Sequence, residues 1–268
     1  MRGGGHSAND APQAHVLSGF TLESSRTIIA EVLRERARLC DATLFHVTWL
    51  TQSALAASLT LPFDCAADLD AAAQTLRLYS GWLRGSLPRC FADDPVGARN
   101  TVREAISQLA LLFRRRRVAV GEVEGEVVDE RAAMALGRAH ERLCRRALDT
   151  IDESSRDPLG PVAANAEHVL RTLLSICKIL LHHNADDNVT TRLRRHAMQT
   201  LLMVSLRLTD RLVSAGRGAL MWTLLTRSLR KWRHLLPVIT VWSSELILFT
   251  VTFSANPANN YLLPLTYF

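Results

Sequence analysis

The chain has 268 residues, of which 48% are hydrophobic and 22% charged, and its formal net charge is +6. These proportions exclude a disordered chain, and the length is sufficient to bury a sizeable core. Of the 32 basic residues, only Lys178 and Lys231 are lysine. Such an arginine bias is typical of a GC-rich genome, and it also suits guanidinium binding to phosphate or carboxylate partners.

The first half of the chain predicts a flexible tail followed by amphipathic helices. Residues 1–18, with three consecutive glycines and a proline, predict the tail. Apolar periodicity and capping residues predict helices over Glu23–Leu39, Ala42–Leu59, Ala66–Leu83, a stretch that starts at Asp94-Pro95 and ends in Arg114–Arg117, and Asp129–Ser154. Residues 118–128 contain two glycines and three glutamates. We expect an exposed loop there, with a short strand pair as the alternative.

A linker is predicted where Arg156-Asp157-Pro158 is followed by Gly160-Pro161. We therefore divide the chain into helical subdomains 19–156 and 157–268, with one continuous domain as the alternative. Further helices are predicted over Val162–His183, Val189–Ser214 and Ala219–Trp232. Residues 238–253 are rich in β-branched and aromatic side chains, and they predict either a buried helix or a short C-terminal hairpin.

The helix at Val162–His183 is apolar around most of its circumference. At 3.6 residues per turn, its apolar surface is interrupted mainly by Glu167, Arg171 and Lys178. A helix that is apolar on nearly all sides lies inside a bundle. The sequence therefore predicts an all-α helical bundle with this helix buried at its centre.

The cysteines indicate a reducing compartment. They are five in number, widely spaced and without a C-x-x-C pair: Cys40, Cys65, Cys90, Cys144 and Cys177. Residues 1–9 lack the apolar segment of a secretory signal. Free and mostly buried thiols are therefore expected, in a protein of the nucleus or cytoplasm that is not secreted.

Motifs that would indicate catalysis are missing from the sequence. It contains no G-x-S-x-G elbow, no phosphate-binding glycine loop, no H-E-x-x-H frame and no E-x-x-H pair. We therefore expect a protein that is not an enzyme and has no metal site and no cofactor.

Two local pairings contain residue types that can bind metal or take part in catalysis. The segment His182–Asp187 contains His/Asp pairs four residues apart, but we interpret it as the polar turn between two helices. His140 and Cys144 share a helix face, and we interpret them as a half-exposed imidazole and a buried thiol.

Two arginine patches are the candidate contact residues. The first comprises Arg114, Arg115, Arg116 and Arg117, and the second comprises Arg192, Arg194 and Arg195. Either patch suits nucleic acid or an acidic protein partner. For the first patch, the alternative is that it complements a helix C-terminus and pairs with the acidic residues between Glu122 and Glu130. Because those acids nearly cancel the arginines and no stacking aromatics accompany either patch, we favour protein partners over nucleic acid.

Residues 235–253 carry one charge, Glu245, and follow a basic segment, which is also typical of a membrane anchor. An acidic residue near the middle of such a segment costs about 3 kcal/mol on insertion scales. We therefore favour a buried terminal segment over membrane association.

A resemblance to a known family rests on the Arg/Ala/Leu-rich composition and on two segments, Thr27–Leu33 (TIIAEVL) and Leu76–Arg84 (LRLYSGWLR). In size and helical layout the chain resembles the late-gene transcription regulators of beta- and gammaherpesviruses. The resemblance implies a non-enzymatic viral accessory protein that acts as a protein–protein adaptor in late-gene transcription. The alternatives are a tegument-like or membrane-associated virion assembly protein, and an arginine-mediated nucleic-acid-binding protein.

Overall fold

A computed structural model describes most of the chain. The described residues are 16–35, 48–87, 94–114, 130–182, 188–214, 216, 218–235, 238–241 and 243–244. Residues 1–15 of the predicted tail, the loop at 118–128 and the segment after residue 244 lie outside these ranges. Residues 16–18, also predicted as flexible tail, instead belong to a 3-10 turn in which Leu17 is buried in the core.

Throughout the described ranges the regular structure is helical, and the predicted all-α bundle is confirmed. The helices are α1 Leu22–Arg34, α2 Thr48–Ser58, α3 Ala66–Leu83, α4 Pro95–Leu109, α5 Glu130–Ser154, α6 Pro161–Ala164, α7 Ala166–Leu181, α8 Asn188–Ser214 and α9 Gly218–Trp232. Short 3-10 turns cover Val16–Gly19 and Ala110–Phe113. The predicted bounds of α3 agree at both ends.

Local capping explains where α3 ends and α4 begins. After α3, Gly85 adopts a positive φ of 89°, and its N–H donates to the Trp82 carbonyl oxygen at 3.1 Å. Ser86 N–H donates to the Gly81 carbonyl oxygen at 2.9 Å, which completes a Schellman motif. At the start of α4, the Asp94 carboxylate accepts from Gly97 N–H at 2.8 Å, and proline occupies the first turn.

Two predicted helices differ from the structure at their interiors or ends. The helix predicted over Val162–His183 is divided at Asn165, whose side-chain amide donates to the Pro161 carbonyl oxygen at 2.9 Å. This local hydrogen bond competes with the helical pattern and separates α6 from α7. The helix that was expected to reach Arg114–Arg117 is α-helical only to Leu109 and then tightens into a 3-10 turn.

Helix α7 lies at the centre of the bundle. It packs against α4, α8, α9 and the 3-10 turn at Ala110–Phe113. Val169, Leu173 and Ile176 have no exposed surface, whereas Arg171 and Lys178 reach solvent. The central position predicted from the apolar surface of this helix is therefore observed.

Helices from both sides of the linker at 156–161 contribute to one hydrophobic core. Helix α5 packs against both α3 and α8, and α4 packs against α7. The linker itself is a turn, with Leu159 84% exposed.

An ion pair attaches α1 to the start of α3. Arg26 Nε and Nη2 donate to the two carboxylate oxygens of Asp68, each at 2.8 Å, and Arg26 also contacts Asp64. Asp68 is 1% exposed. Burial by itself would raise the pKa of Asp68, but the hydrogen bonds and charge of Arg26 outweigh it and hold that pKa below its usual value.

Part of the terminal segment is described, and that part is helical. Residues 238–241 and 243–244 are helical, and Val238 and Val241 are buried in the core, while Ile239 is 50% exposed. This is the first of the two structures expected for residues 238–253. Within the described ranges, no helix combines the length and apolar character that crossing a bilayer requires.

We expect Leu173→Asp to unfold or aggregate the protein, because it places an unpaired carboxylate at the centre of the core. The cost is several kcal/mol, which is a large fraction of the stability of a typical domain. Circular dichroism and size-exclusion chromatography measure the outcome. Ser175→Asp, an exposed position on the same helix, is the matched control and should fold normally.

We expect Arg26→Gln to lower the free energy of unfolding at neutral pH by about 2–3 kcal/mol, because it leaves the buried Asp68 carboxylate without its cation. The loss is smaller than for a fully buried pair because the Arg26 side chain is 31% exposed. Urea titration of the variant and of Arg34→Gln, a more exposed arginine on the same helix, measures the difference.

The pH dependence of this effect follows from the lowered pKa of Asp68. The contribution of the ion pair is present above the unfolded-state pKa near 3.8 and is lost as the pH falls through the folded-state value. The difference in the free energy of unfolding between wild type and Arg26→Gln should therefore become smaller below about pH 4. A gap that stayed constant on acidification would contradict this assignment.

Candidate basic interface

Helices α7 and α8 form an antiparallel pair. Arg194 Nε donates to the Leu180 carbonyl oxygen at 3.0 Å, and Cys177 Sγ lies 3.6 Å from the Ala197 carbonyl oxygen. From the first contact to the second, the residue number rises from 194 to 197 in α8 and falls from 180 to 177 in α7, so the two chains run in opposite directions. The C-terminal end of α7 therefore lies beside the first turns of α8.

This end of the pair is rich in cations. Lys178, His182, Arg192 and Arg195 are exposed, and Arg194 is half-buried. The hydrogen bond from Arg194 satisfies a carbonyl group in the last turn of α7, where a positive charge also complements the helix dipole. His182 Nδ1 lies 2.8 Å from the Lys178 carbonyl oxygen. Residues 183–187, the rest of the His/Asp segment, lie outside the described ranges.

Helix α5 runs in the same general direction as α8. His196 Nε2 contacts Asp149 Oδ1 at 2.8 Å, and Arg207 Nη1 donates to Asp152 Oδ1 at 2.5 Å. Because both residue numbers increase together, the first turns of α8 and the N-terminal half of α5 lie at the same end of the bundle.

The 3-10 turn at Ala110–Phe113 brings Arg114, the described residue of the first arginine patch, to this end as well. The Leu112 carbonyl oxygen lies 2.8 Å from His140 Nε2 and 3.6 Å from Cys144 Sγ, both on α5. Arg114 follows the turn and is exposed. Arg115, Arg116 and Arg117, and the acidic residues predicted to pair with them up to Asp129, lie outside the described residues.

The structure thus places Arg114 at the same end of the bundle as Arg192, Arg194 and Arg195. We call this end the basic end, and define it by those four arginines together with Lys178 and His182. Arg192 and Arg195 present exposed guanidinium groups, whereas Arg194 is partly committed to the backbone of α7.

The acidic side chains of α5 are paired with basic residues. The pairs are Glu141–Arg145, Asp149–His196, Asp152–Arg156, Asp152–Arg207, Glu153–Arg84 and Glu153–Arg146. The pairs of Asp152 and Glu153 lie near the C-terminus of α5, whereas Asp149 contacts His196, which directly follows Arg195 on α8. These carboxylates stabilise helix packing, and that of Asp149 lies beside the basic end.

The His140–Cys144 pair has a structural arrangement. His140 is half-buried, Cys144 is 1% exposed, and Sγ lies 3.4 Å from His140 Nε2. Because a carbonyl oxygen can only accept, the contact with Leu112 requires the proton on Nε2. That nitrogen then cannot accept the thiol proton. The pair provides hydrogen-bond partners for the Leu112 carbonyl oxygen at the end of the 3-10 turn. The partly buried imidazole and the buried thiol agree with the arrangement predicted from the sequence.

A second pair, Ser107 and His168, was not predicted from the sequence. His168 Nε2 lies 2.7 Å from Ser107 Oγ and 3.0 Å from the Arg103 carbonyl oxygen. Burial and the nearby Arg103 charge lower the pKa of His168, which favours the neutral imidazole. Since the carbonyl again requires the proton on Nε2, this pair links α4 to α7 and leaves Ser107 without a base. No signal in the sequence could have joined residues 61 positions apart.

Within the part of the chain that the structure describes, one group of possible metal ligands is present. Donor atoms of Asp64, Cys65 and Asp68 lie within 4.8 Å of one another. Both carboxylate oxygens of Asp68 accept hydrogen bonds from Arg26, which also contacts Asp64. The group is therefore arranged around a guanidinium cation.

Comparison with known proteins gives one partial match. Residues 137–254, less than half of the chain, match a family model described as the RALGAPB N-terminal domain. The chain is similar to that domain over this stretch, which begins within α5 and includes α6 to α9. No curated protein and no solved structure matches the chain.

We expect Cys65 to react with iodoacetamide at least about tenfold faster than Cys144 or Cys177 in the native protein, because only the exposed thiolate reacts. Cys65 is half-exposed and the other two are buried, and burial raises the pKa of Cys177 to about 12. Mass spectrometry after timed labelling measures each site. Labelling of Cys144 as fast as that of Cys65 would indicate an activated thiol and contradict the structural assignment.

Proposed function

We propose that this chain is a non-enzymatic protein–protein adaptor that binds an acidic partner through its basic end. The observation that carries the proposal is that the fold gathers Arg114, Arg192 and Arg195 at one end and leaves them exposed. Guanidinium groups suit carboxylates because their planar donor geometry allows two parallel hydrogen bonds.

The chemistry of the interior supports an adaptor. The histidines that lie next to a thiol or hydroxyl, His140 and His168, each contact a backbone carbonyl through the same nitrogen. Their hydrogen bonds hold helices together. This use of potentially reactive groups favours a binding protein.

A protein partner is favoured over nucleic acid at this surface. Proteins that bind single strands interleave cations with aromatic side chains on which bases stack. Among the described large apolar side chains, Phe20 is the exposed aromatic one, and it lies before α1. The clustering of cations still makes nucleic acid the second candidate.

The resemblance to late-gene transcription regulators of herpesviruses supports the cellular context of the proposal. On that basis the adaptor belongs to a multi-subunit viral assembly in the host nucleus that supports late-gene transcription. The similarity to the RALGAPB N-terminal domain concerns a part of another protein, and its description specifies no activity. Burial of Val238 and Val241 supports a terminal segment that packs on the core over membrane association.

We expect the double substitution Arg192→Gln and Arg195→Gln to reduce capture of the main partner by about tenfold or more, because hydrogen bonds between charged groups are lost. Affinity purification from infected cells with quantitative mass spectrometry measures the change. Arg77→Gln with Arg99→Gln removes the same charge from exposed positions on α3 and α4 and is the matched control.

The same proteins should be measured with duplex DNA and single-stranded RNA. If nucleic acid is the ligand, binding weakens linearly with the logarithm of salt concentration, by about 0.9 for each phosphate contact on duplex DNA. The proposal predicts weak binding at physiological salt that does not distinguish the two variants. Strong, salt-sensitive binding that only the Arg192/Arg195 variant loses would replace the adaptor with a nucleic-acid-binding protein.

A further inference from the structure

The N-terminal half of α5 is poorly covered by the rest of the chain. Among its described positions up to Arg138, only Leu136 is partly buried, and Met134 is 47% exposed. From Cys144 onward, by contrast, every turn contributes a buried side chain. A short unpacked helix is only marginally stable in water, because most helical stability comes from packing an apolar face.

A single heptad-spaced seam runs along both halves of α5. With alternating spacings of three and four residues, it comprises Met134, Gly137, Glu141, Cys144, Leu148 and Ile151. Cys144, Leu148 and Ile151 are at most 1% exposed, Glu141 has a 14% exposed side chain, and Met134 and Gly137 are exposed. The packing seam therefore continues past the point at which this chain covers it.

Gly137 makes the open end suitable for close packing. A Cβ atom added at Gly137 would meet nothing within 4 Å, so no contact with a described residue requires a glycine there. Glycine is also the least favourable helix residue apart from proline. A small residue in the seam permits another helix to approach closely.

Arginines flank the seam at heptad spacing. Arg138 and Arg145 each follow a seam position by one residue, and Arg131 lies one heptad before Arg138; Arg131 and Arg138 are exposed. Arg145 pairs with Glu141 at 2.6 Å, farther along the helix. In paired helices, charges beside the seam select the partner. A symmetric pairing of two copies along this face would place these arginines against each other, which disfavours a second copy.

We infer that the open end of the seam, Met134 and Gly137 with Arg131 and Arg138 beside them, docks an amphipathic helix of a partner protein. The partner helix presents aliphatic residues to the seam and glutamate or aspartate to the arginines. This inference rests on the proposed function, since it specifies the acidic partner chemistry for a surface at the same end of the bundle. The inferred docking site on α5 does not include Arg192 or Arg195, so an experiment can contradict this inference and leave the proposed function standing, or the reverse.

The test uses the full chain and two synthetic three-heptad peptides. Both carry leucine at the two seam positions of each heptad; one carries glutamate at the flanking positions and the other lysine. Fluorescence anisotropy at physiological salt measures their binding to wild type, to Arg131→Glu with Arg138→Glu, and to the control Arg77→Glu with Arg99→Glu. Positions 131, 138, 77 and 99 are all exposed, so the variants should fold.

We expect wild type and the control to bind the glutamate peptide, and the Arg131/Arg138 variant to lose that binding by about tenfold or more while gaining the lysine peptide. Met134→Glu should weaken glutamate-peptide binding without altering the helical circular dichroism signal.

The inference is wrong if wild type fails to bind the glutamate peptide at about 100 μM, or if it binds both peptides equally well. It is also wrong if duplex DNA displaces the glutamate peptide at the same salt concentration. A wild-type dimer that Met134→Glu dissociates would show that the seam binds a second copy of this chain instead. Loss of partner capture in the Arg192/Arg195 variant, with full capture by the Arg131/Arg138 variant, would leave the adaptor standing and remove this docking site. The reverse pattern would keep the α5 site and remove the proposed role of Arg192 and Arg195.

Discussion

The bundle depends on covering the apolar surface of α7. Val169, Leu173 and Ile176 are fully buried, and each such side chain contributes about 1.5–3 kcal/mol relative to exposure. Because apolar residues occur on most sides of α7, one neighbouring helix cannot cover them. Helices α4, α8 and α9 and the 3-10 turn at Ala110–Phe113 therefore surround it. This requirement joins the segments before and after the linker at 156–161 in one core.

Surrounding one helix so closely leaves helix ends in or near the core, where their carbonyl groups need partners. At Leu112 the partners are His140 and Cys144, and at Leu180 the partner is Arg194. These are the same residue types that form catalytic or ligand-binding sites in other proteins. Here they connect helices that are distant in sequence.

The distribution of charge follows from the same packing. The carboxylates of the C-terminal half of α5 pair with basic residues at the C-terminal end of α3 and on α8, as Glu153 does with Arg84 and Asp152 with Arg207. At the opposite end of α5, the described arginines project from a helix that the rest of the chain leaves exposed. Among the described residues, the N-terminal half of α5 is therefore poorly covered and carries mostly basic charged side chains. The docking site inferred on α5 depends on this feature.

Local chemistry was sufficient to predict much of this fold. The all-α class, the buried position of α7, the start of α4 at Asp94-Pro95 and the end of α3 before Gly85 follow from periodicity and capping, which act within a few residues. The division at Asn165, the shared contacts of Leu112, the Ser107–His168 pair and the convergence of Arg114 with Arg192 and Arg195 were decided only by tertiary structure. They join residues that are far apart in the chain or depend on how helices pack. Periodicity and capping are local patterns, and they do not show which separate helices come into contact.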